Sequence, residues 1–597
     1  MSTTNERIAA LRAWMSGHGI DAWIVPTADP HQGEYAPTHF LTRAWLSGFH
    51  GSAGTVVVTQ QAAGLWVDSR YYLEGAAAVE DTEIELFRLE SAGVPNHPQW
   101  IASQLARGQR VGFDARLFAP TAIHQLSQKL KPAGIVVAAD EDPFAVIWSD
   151  RPTLPAERIY ELEERFAAGS RADKLTDVRR ELATGQACFI STLDDIAWLL
   201  NLRGSDVAYT PLFVSYLLVR PDSATLYVDA SRADDGVVTA LARDGVEVAP
   251  YERVAADLRA LDGALLLDPG RNSLWIHDLI PNDVAITAAD QPSVLLKARK
   301  SSQEIANARE AHKRDGVAVV RLLRWLQSEV EGATLTEMTI SRKLRELRQQ
   351  GDRYIGDSFE AIVGYNAHGA IVHYRVSEQS AATVRGDGVL LIDSGAQYLD
   401  GTTDITRTVA VGNPTRAAQE DYTAVLSAHI ALATALLPAG SDGRHADTIA
   451  RTPLWRTARD YGHGTGHGVG YVGSVHEGPQ RLAQSRSEQV LLPGMIVSNE
   501  PGLYREGAYG IRLENLVVIV QAGNGEFGDF IGFETLSLCP FDRSMILPEL
   551  LSRAELQWID RYHARVLQEL GPRVSGEDRA WLETACSPLA ARPTAAG

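Results

Sequence analysis

The sequence predicts an α/β (α+β) protein of three domains, in which two related α/β domains precede a larger third domain. The chain has 597 residues, which is more than one hydrophobic core usually holds. A pattern of helix, apolar strand and Trp-Leu-x-x-x-x-Gly-Ser occurs twice, at residues 45–52 and 198–205. Because helical and strand patterns alternate around both copies, each copy is expected to form an α/β domain with a mixed sheet.

The flanking elements of the two copies also agree. An amphipathic stretch precedes each copy, at residues 7–18 and 173–184, and a short apolar run lies between that stretch and the repeat. A second apolar strand follows each copy and ends in aspartate, at Asp68 and Asp229. The whole first half of the chain is therefore interpreted as a duplication.

Two local signals predict the domain boundaries. Pro152 and Pro155 follow a polar Ser-Asp pair and are typical of a linker. Ser302 and Glu304 open a charged stretch with helical periodicity, which predicts the first helix of the third domain. The predicted domains are 1–153, 154–298 and 299–597.

The charge distribution excludes two classes of partner. The formal net charge is −19, and it is spread over the chain without a Lys/Arg-rich run. A nucleic acid or an anionic membrane surface would require a basic face. We therefore expect neither as a partner.

Cysteine usage and the N-terminal segment predict a cytoplasmic protein. The three cysteines are far apart and odd in number, so they form neither a disulfide framework nor a zinc-finger pattern. Residues 1–20 read as an amphipathic helix rather than as a signal peptide. No run of about 18 uncharged apolar residues predicts a membrane span.

The segment VLLIDSGAQYLDGTTDITRTVAVG predicts an antiparallel hairpin with an Asp400-Gly401 turn. Asp393 and Asp404 fall on opposite arms. With a two-residue turn, residue 393 would lie opposite residue 408, and parity then places both carboxylates on one face of the hairpin. This register leaves the carboxylates too far apart to share an ion, so we expect a wider loop or a bulge near Gly395.

Two further segments carry candidate metal ligands. GHGTGHGVG places His463 and His467 four residues apart among glycines, which would let the backbone approach a ligand closely. SNEPGLY places Glu500 at a strand end, and GIRLENLVVIV places Arg512 and Glu514 on one face of a strand. A buried glutamate requires a partner.

Together these residues form a set of four carboxylates and one imidazole. Each carboxylate alone could be a surface group or a cap, but the set offers the hard, oxygen-rich environment that suits manganese(II), cobalt(II) or zinc(II). The charges of four carboxylates balance those of two divalent ions. The candidate ligands are Asp393, Asp404, His467, Glu500 and Glu514.

These motifs, in this order, resemble the aminopeptidase P (Xaa-Pro aminopeptidase) family of pita-bread metallopeptidases. The resemblance covers nearly the whole chain, since WLSGFHGSAGTVVV, VDSRYYL and LDDIAWLLNLRGSDVAYTP are similar to the long, three-domain cytosolic form of that family. It implies that the third domain has the pita-bread fold. It also implies a homodimer that removes the first residue from peptides with proline second.

The resemblance further implies the roles of the ligands. It predicts a dinuclear centre, usually of manganese, in which Asp404 and Glu514 bridge both ions. Asp393 would bind one ion, and His467 and Glu500 the other. Glu500 is also the candidate for transferring a proton to the leaving nitrogen.

Six further positions match residues of the family that contact substrate or orient the ligands. The positions are His373, His463, His476, Tyr504, Arg512 and Arg70. For the three histidines the alternative is a packed loop or core residue, and for Arg70 it is a surface ion pair.

Two rival functions within the fold are a prolidase, which cleaves dipeptides, and a methionine aminopeptidase, which selects the first residue. The two additional α/β domains favour aminopeptidase P. A rival of another class is a catalytically inactive relative that binds peptides or acts as a chaperone. The five intact ligands argue against it.

Overall fold

The first α/β domain consists of a six-stranded mixed sheet and its flanking helices. The computed structural model describes residues 3–89, 91–167, 169–330, 335–485 and 489–589. The strands are β1 (Ala22–Val25), β2 (Thr55–Thr59), β3 (Ala63–Val67), β4 (Ile84–Arg88), β5 (Arg110–Phe113) and β6 (Val136–Ala139). The helices are α1 (Thr4–Gly17), α2 (Thr42–Ser47), α3 (Tyr72–Val79), α4 (His97–Gln104), α5 (Pro120–Leu130) and α6 (Phe144–Ile147).

The second α/β domain is built in the same way. Its strands are β7 (Tyr160–Glu161), β8 (Gln186–Ile190), β9 (Leu202–Arg203), β10 (Tyr216–Val219), β11 (Ala224–Tyr227), β12 (Val246–Ala249), β13 (Ala264–Leu267) and β14 (Ala285–Ala288). Its helices are α7 (Glu164–Ala167), α8 (Arg171–Glu181), α9 (Leu193–Leu200), α10 (Asp235–Arg243), α11 (Val254–Arg259) and α12 (Leu274–Leu279). The central strands are buried apolar runs, as expected for a sheet covered on both faces.

The two sheets have the same strand order and the same directions, which confirms the predicted relationship. The orders are β4-β3-β2-β1-β5-β6 and β12-β11-β10-β8-β13-β14. In each sheet two antiparallel pairs lie at the centre and three parallel pairs complete the order. The repeated Trp-Leu motif ends a helix in both, and Gly48 and Asn201 adopt left-handed φ angles of 74° and 55° at equivalent positions. Glycine and asparagine tolerate this conformation best.

The described residues form two compact units, 1–294 and 295–597. The two α/β domains share the first unit, where the His31 ring lies 2.9 Å from the Ser191 carbonyl oxygen and 3.0 Å from the Tyr251 hydroxyl. The predicted boundary at 153/154 falls between Arg151, which binds Asp142 of the first domain, and Glu157, whose carbonyl oxygen accepts from Arg232 of the second. The predicted boundary at 298/299 lies four residues after the start of the second unit.

The second unit begins within α13 (Ser293–Ala298) and contains several small sheets. Its further helices are α14 (Ser302–Glu329), α15 (Glu337–Gln349), α16 (Arg416–Ala433), α17 (Gly443–Trp455), α18 (Arg553–Leu570) and α19 (Gly576–Ala585). Its strands are β15 (Leu335–Thr336), β16 (Tyr354–Asp357), β17 (Ile362–Tyr365), β18 (Thr383–Val384), β19 (Gly388–Ser394), β20 (Ala396–Tyr398), β21 (Gly401–Thr402), β22 (Ile405–Val411), β23 (Leu437–Pro438), β24 (Gly466–His467), β25 (Arg481–Leu482), β26 (Ile496–Asn499), β27 (Gly502–Arg505), β28 (Tyr509–Arg512), β29 (Asn515–Gly525) and β30 (Gly528–Thr535).

Helices support both groups of strands that carry the candidate ligands. The sheet β17-β19-β22 packs against α14 and α15 through a cluster that includes Leu322, Leu344 and Ile392. A second cluster joins α16 and α18 to the β27-β28 hairpin and includes Leu426 and Ile511. The helix predicted to open the third domain is α14, which is capped by Ser301, one residue before the predicted start. None of the helices in the described residues is long and apolar enough to cross a membrane.

Candidate metal centre

The predicted hairpin forms, but its turn lies one residue earlier than predicted. Tyr398 pairs with Gly401, so Leu399 and Asp400 form the turn, and Asp393 lies opposite Thr406 instead of Thr408. The register is the same on both sides of Gly395, so the predicted bulge or wider loop is wrong. Asp404 lies two residues from Thr406 and therefore on the same face, which makes it a diagonal neighbour of Asp393. Diagonal residues of an antiparallel pair are about 7–8 Å apart.

Gly395 marks the point where this hairpin passes from one sheet to another. β19 and β22 belong to one sheet, and β20 and β21 belong to the sheet with β16. A Cβ at Gly395 would lie 2.0 Å from the Thr403 carbonyl oxygen and 2.1 Å from Ser358 Oγ. Asp400 occupies the turn as predicted, and its buried carboxylate also pairs with Arg314 and Arg353.

The glycines around His467 allow close packing of backbone on backbone. A Cβ at Gly466 would lie 2.0 Å from the Ser498 carbonyl oxygen, and one at Gly468 would lie 2.1 Å from the Glu477 carbonyl oxygen. At these two positions the glycines bring segments of the chain's own backbone together, and the close approach of backbone to a ligand stays a prediction. His467 Nδ1 lies 2.9 Å from the Gly468 carbonyl oxygen, so Nδ1 donates its hydrogen there and Nε2 faces the other candidate ligands.

Four of the five candidate ligands meet on the Nε2 side of the His467 ring. His467 Nε2 lies 3.5 Å from Asp404 Oδ2 and 3.5 Å from Glu500 Oε1. Asp404, His467 and Glu514 each offer a ligand atom, and these atoms all lie within 4.8 Å of one another. The four residues come from β24 and from short segments that precede β22, follow β26 and precede β29.

Burial makes this cluster electrostatically costly without cations. Burial first, and then the charges of Asp393 and Glu500, raise the pKa of Asp404 well above its ordinary value. Burial first, and then the charges of Asp404, Glu500 and Asp393, raise the pKa of Glu514 well above its ordinary value. The pKa of Glu500 is also raised by burial, although His467 and Arg512 oppose the shift.

The donor set fits divalent cations. Asp393 Oδ1, Asp404 Oδ1 and Glu514 Oε1 are buried and accept no hydrogen bond from the described residues. Buried carboxylate oxygens require a cationic or hydrogen-bonding partner. Oxygen-rich sets with one imidazole are typical of manganese(II), cobalt(II) or zinc(II).

Arg512 links Asp393 to a chain of hydrogen bonds at the edge of the cluster. Its Nη2 donates to Asp393 Oδ2, and its Nη1 lies 2.8 Å from the Tyr504 hydroxyl. That hydroxyl lies 2.8 Å from His463 Nε2. Burial raises the pKa of Tyr504 to about 12, so the hydroxyl keeps its proton and donates to His463. Arg512 therefore fixes one oxygen of Asp393, while Oδ1 remains available.

The other predicted residues differ in their relation to the cluster. The His476 ring packs edge-on against His467, with ring centroids 4.2 Å apart. His373 is half-buried and follows Val372, whose carbonyl oxygen accepts from Arg512 Nη2 at 3.4 Å. Arg70 lies in the first unit, where it forms a bidentate ion pair with Asp68.

Two hydroxyl side chains that the sequence argument missed orient the ligands. Thr406 Oγ1 donates to Glu514 Oε2 at 2.8 Å. Ser498 Oγ donates to Glu500 Oε1 at 3.0 Å and accepts from the His467 amide at 2.9 Å. Parity was the available signal, because each hydroxyl lies two residues from a candidate ligand on an extended segment.

Family comparisons cover the whole architecture. Residues 306–521 match the model of metallopeptidase family M24, and residues 529–589 match the C-terminal region of peptidase M24. Residues 7–144 and 150–304 each match a model of the creatinase/prolidase N-terminal domain. The two halves of the predicted duplication thus match the same kind of domain.

Full-length relatives carry related names. A probable Xaa-Pro aminopeptidase P of Laccaria bicolor is 37% identical over 610 residues, which cover 98% of this chain and 94% of the relative. Aminopeptidase P2 of Arabidopsis thaliana is 38% identical over 630 residues, which cover 98% and 89%. The crystal structure of X-prolyl aminopeptidase from Caenorhabditis elegans superposes with a TM-score of 0.94 at 32% identity and covers 99% of this chain and 100% of its own. The worm protein is a cytosolic enzyme with a di-nuclear active site.

The chain therefore belongs to metallopeptidase family M24, with two creatinase/prolidase-type domains before the pita-bread metallopeptidase domain. Within that family it belongs with the Xaa-Pro aminopeptidase P proteins, which makes it a hydrolase of the aminopeptidase type. The resemblance found in the sequence and the fold class predicted from it are confirmed.

Proposed function

We propose that this enzyme removes the N-terminal residue from peptides whose second residue is proline. The observation that carries the proposal is the cluster of Asp404, His467 and Glu514, whose ligand atoms lie within 4.8 Å of one another in a site with unsatisfied carboxylate oxygens. The membership of the chain in the Xaa-Pro aminopeptidase P group indicates the substrate class.

Five residues are proposed to hold two manganese(II) ions. Asp404 and Glu514 would serve both ions, Asp393 would serve one of them, and His467 and Glu500 would serve the other. Two bound divalent ions would supply a strong nucleophile near neutral pH, because they lower the pKa of water from about 15.7 towards about 7, and would polarise the scissile carbonyl.

The side chains around the cluster are assigned the remaining tasks. The proline nitrogen of the scissile bond carries no hydrogen, so it must gain a proton to leave, and Glu500 is proposed to deliver it from a carboxyl oxygen. His373 and His476 would donate hydrogen bonds to the substrate carbonyl as negative charge develops on it. His463, Tyr504 and Arg512 would orient the substrate and the Asp393 carboxylate.

The domain division and the assembly are part of the same proposal. We assign residues 1–153 and 154–298 to the two N-terminal domains and residues 299–597 to the catalytic domain. Arg70 of the first domain is proposed to contact substrate, and the active form is proposed to be a cytoplasmic homodimer. Light scattering would report the mass in solution, and a monomer with full activity would exclude the dimer as the active form.

Peptide hydrolysis with controlled metal content tests the function directly. We expect an Arg-Pro-Pro peptide to lose its first residue in the presence of manganese, and the Arg-Ala-Pro analogue to be hydrolysed far more slowly. Chelation should abolish the activity, and manganese should restore it. Cleavage confined to the dipeptide Arg-Pro would indicate a prolidase instead. A protein that binds no ions and cleaves neither peptide would be an inactive relative.

A further inference from the structure

Glu337 is a buried carboxylate whose partners all belong to one segment of the catalytic domain. It is the first residue of α15 and is 0% exposed. Its Oε1 accepts from the Tyr365 amide at 2.7 Å and lies 2.9 Å from His368 Nδ1. Its Oε2 accepts from the Tyr374 hydroxyl at 3.0 Å and from the Ala382 amide at 2.8 Å. Both oxygens are therefore satisfied by donors between residues 365 and 382.

This segment has little regular structure of its own. Between β17 and β18 it forms a short 3-10 helix, Asn366–Ala370, and then an irregular stretch up to Thr383. The His368 and Tyr374 rings stack with centroids 4.5 Å apart. Strand pairing does not hold this stretch in place. The Glu337 carboxylate holds it instead, through hydrogen bonds at both ends of the segment and at its centre.

The same segment also contacts the strand β28, which carries Arg512 at the edge of the metal centre. Arg512, which binds Asp393, also donates to the Val372 carbonyl oxygen at 3.4 Å. A Cβ at Gly510 would lie 1.7 Å from the Gly369 carbonyl oxygen, so the segment rests directly on the strand that carries Arg512. His373 follows Val372 and precedes Tyr374, between these two points of attachment.

We propose that Glu337 is a positioning residue for catalysis, which holds the segment 365–382 so that the His373 imidazole meets the substrate carbonyl. Glu337 touches neither the proposed ions nor the substrate and acts through His373. A carboxylate is required at this position. A glutamine side chain would turn its NH2 group, which is a hydrogen-bond donor, towards N–H and O–H groups that are donors themselves. The inference rests on the proposed role of His373.

A double-mutant cycle tests the inference. Three variants are required, Glu337→Gln, His373→Ala and the combination of both, each assayed with manganese for kcat, KM and bound ions per chain. We expect Glu337→Gln to keep two ions and to lower kcat by ~10–100-fold, because a displacement of about 1 Å of a catalytic group can cost that much. The double variant should match His373→Ala alone within about twofold, since residues that act through one another are not additive.

The outcomes separate this inference from the proposed function. Wild-type kcat in His373→Ala would remove His373 from the mechanism and would also end the inference. A large loss in His373→Ala beside an unchanged kcat in Glu337→Gln would overturn the inference alone. Independent losses that multiply in the double variant would also overturn it, because they would show a general structural effect.

Two further variants guard against a folding defect. Tyr374→Phe removes one donor to Glu337, and we expect a smaller loss of kcat that again disappears in the His373→Ala background. Asp206→Asn is the matched control, because Asp206 is a buried carboxylate of the second domain that accepts from the Val214 amide and pairs with Arg232. It should lower the melting temperature and leave kcat within about twofold of wild type. An equal loss of kcat in Asp206→Asn would attribute the effect of Glu337→Gln to stability.

Discussion

The carboxylates of the metal centre are a stability problem at the level of single residues. Asp393, Asp404 and Glu514 each bury one oxygen that accepts no hydrogen bond from the described residues. Leaving such a group unsatisfied costs about 1–3 kcal/mol, and more when it is charged. We therefore expect bound cations to contribute to folding as well as to catalysis, because they bind the folded chain and relieve this cost.

The sign of the pH dependence follows from the raised pKa of Asp404. Its ordinary value is 3.8, and burial raises it in the folded, ion-free chain. The folded state then binds the proton more tightly than the unfolded state does. The resulting stability is present below 3.8 and is lost as the pH rises through the raised folded value. The ion-free protein should therefore be least stable at high pH, where the buried carboxylates are charged and repel one another.

Replacement of Asp404 by asparagine should have opposite effects with and without ions. In the ion-free form at pH 8, we expect Asp404→Asn to raise the free energy of unfolding by about 1–3 kcal/mol, because it removes a buried charge. This advantage should shrink as the pH is lowered, since the wild-type carboxyl then becomes protonated. With manganese, the variant should bind fewer ions, unfold more easily and lose activity. Urea unfolding at two pH values, with and without chelator, measures this, and an ion-free variant less stable than wild type at pH 8 would contradict it.

At the level of elements, periodicity predicted the hairpin, but contacts with residues distant in sequence decided its register. Parity placed Asp393 and Asp404 on one face, and this holds in the structure. The position of the turn could not be read from an Asp-Gly pair, because Asp400 is bound by Arg314 and Arg353, which lie 86 and 47 residues away in sequence. Similarly, local sequence offers no sign of the carbonyl that excludes a side chain at Gly466.

The ligand set and the orienting residues were predictable to different degrees. The five candidate ligands could be named because their order and spacing resemble a family pattern. Thr406, Ser498 and Glu337 were missed, since a hydroxyl in a strand or a glutamate that begins a helix is common in any sequence. Their roles depend on partners up to 108 residues away, and such contacts exist only in the folded chain.

The short strand β24, which carries His467, should tolerate no side chain at Gly466. Gly466→Ala would place a Cβ 2.0 Å from the Ser498 carbonyl oxygen, which cannot move without displacing β26. We expect a loss of about 1–3 kcal/mol, as for other overpacked sites, together with fewer bound ions, because Ser498 also holds the His467 amide. Gly356→Ala is the control, since no atom lies within 4 Å of its added Cβ. It should change stability by less than about 0.5 kcal/mol. Equal effects of the two substitutions would show that the contact with Ser498 is unimportant.

For the whole molecule, the architecture separates a duplicated half from a catalytic half. The two N-terminal domains share one unit and have equivalent sheets, whereas the candidate ligands all lie in the second unit. Such a division predicts that the catalytic unit can fold alone if the fragment includes every buried contact near its start. Those contacts begin before the predicted boundary at 298/299.

A buried ionic cluster determines where an independently folding fragment must begin. Lys297 Nζ and Lys300 Nζ lie 3.2 and 3.9 Å from Glu477 Oε1, and all three side chains are at most 3% exposed. Glu477 directly follows His476, and the Lys300 amide donates to the Gly494 carbonyl oxygen. The lysines therefore tie the first turn of the unit to the loop that carries a proposed catalytic histidine.

Two fragments that differ by six residues should therefore behave differently. We expect the fragment 295–597 to unfold cooperatively, to bind two manganese ions per chain and to retain weak peptidase activity without Arg70. The fragment 301–597 lacks both lysines, so the buried Glu477 loses both of these cationic partners. Removing one side of a buried ion pair costs about 3–5 kcal/mol. The shorter fragment should melt at a lower temperature and bind fewer ions. Calorimetry and metal analysis of both fragments measure these differences. Equal melting temperatures would show that the lysines do not stabilise the unit, and a fragment 295–597 that neither folds nor binds ions would show that the catalytic domain requires the N-terminal half.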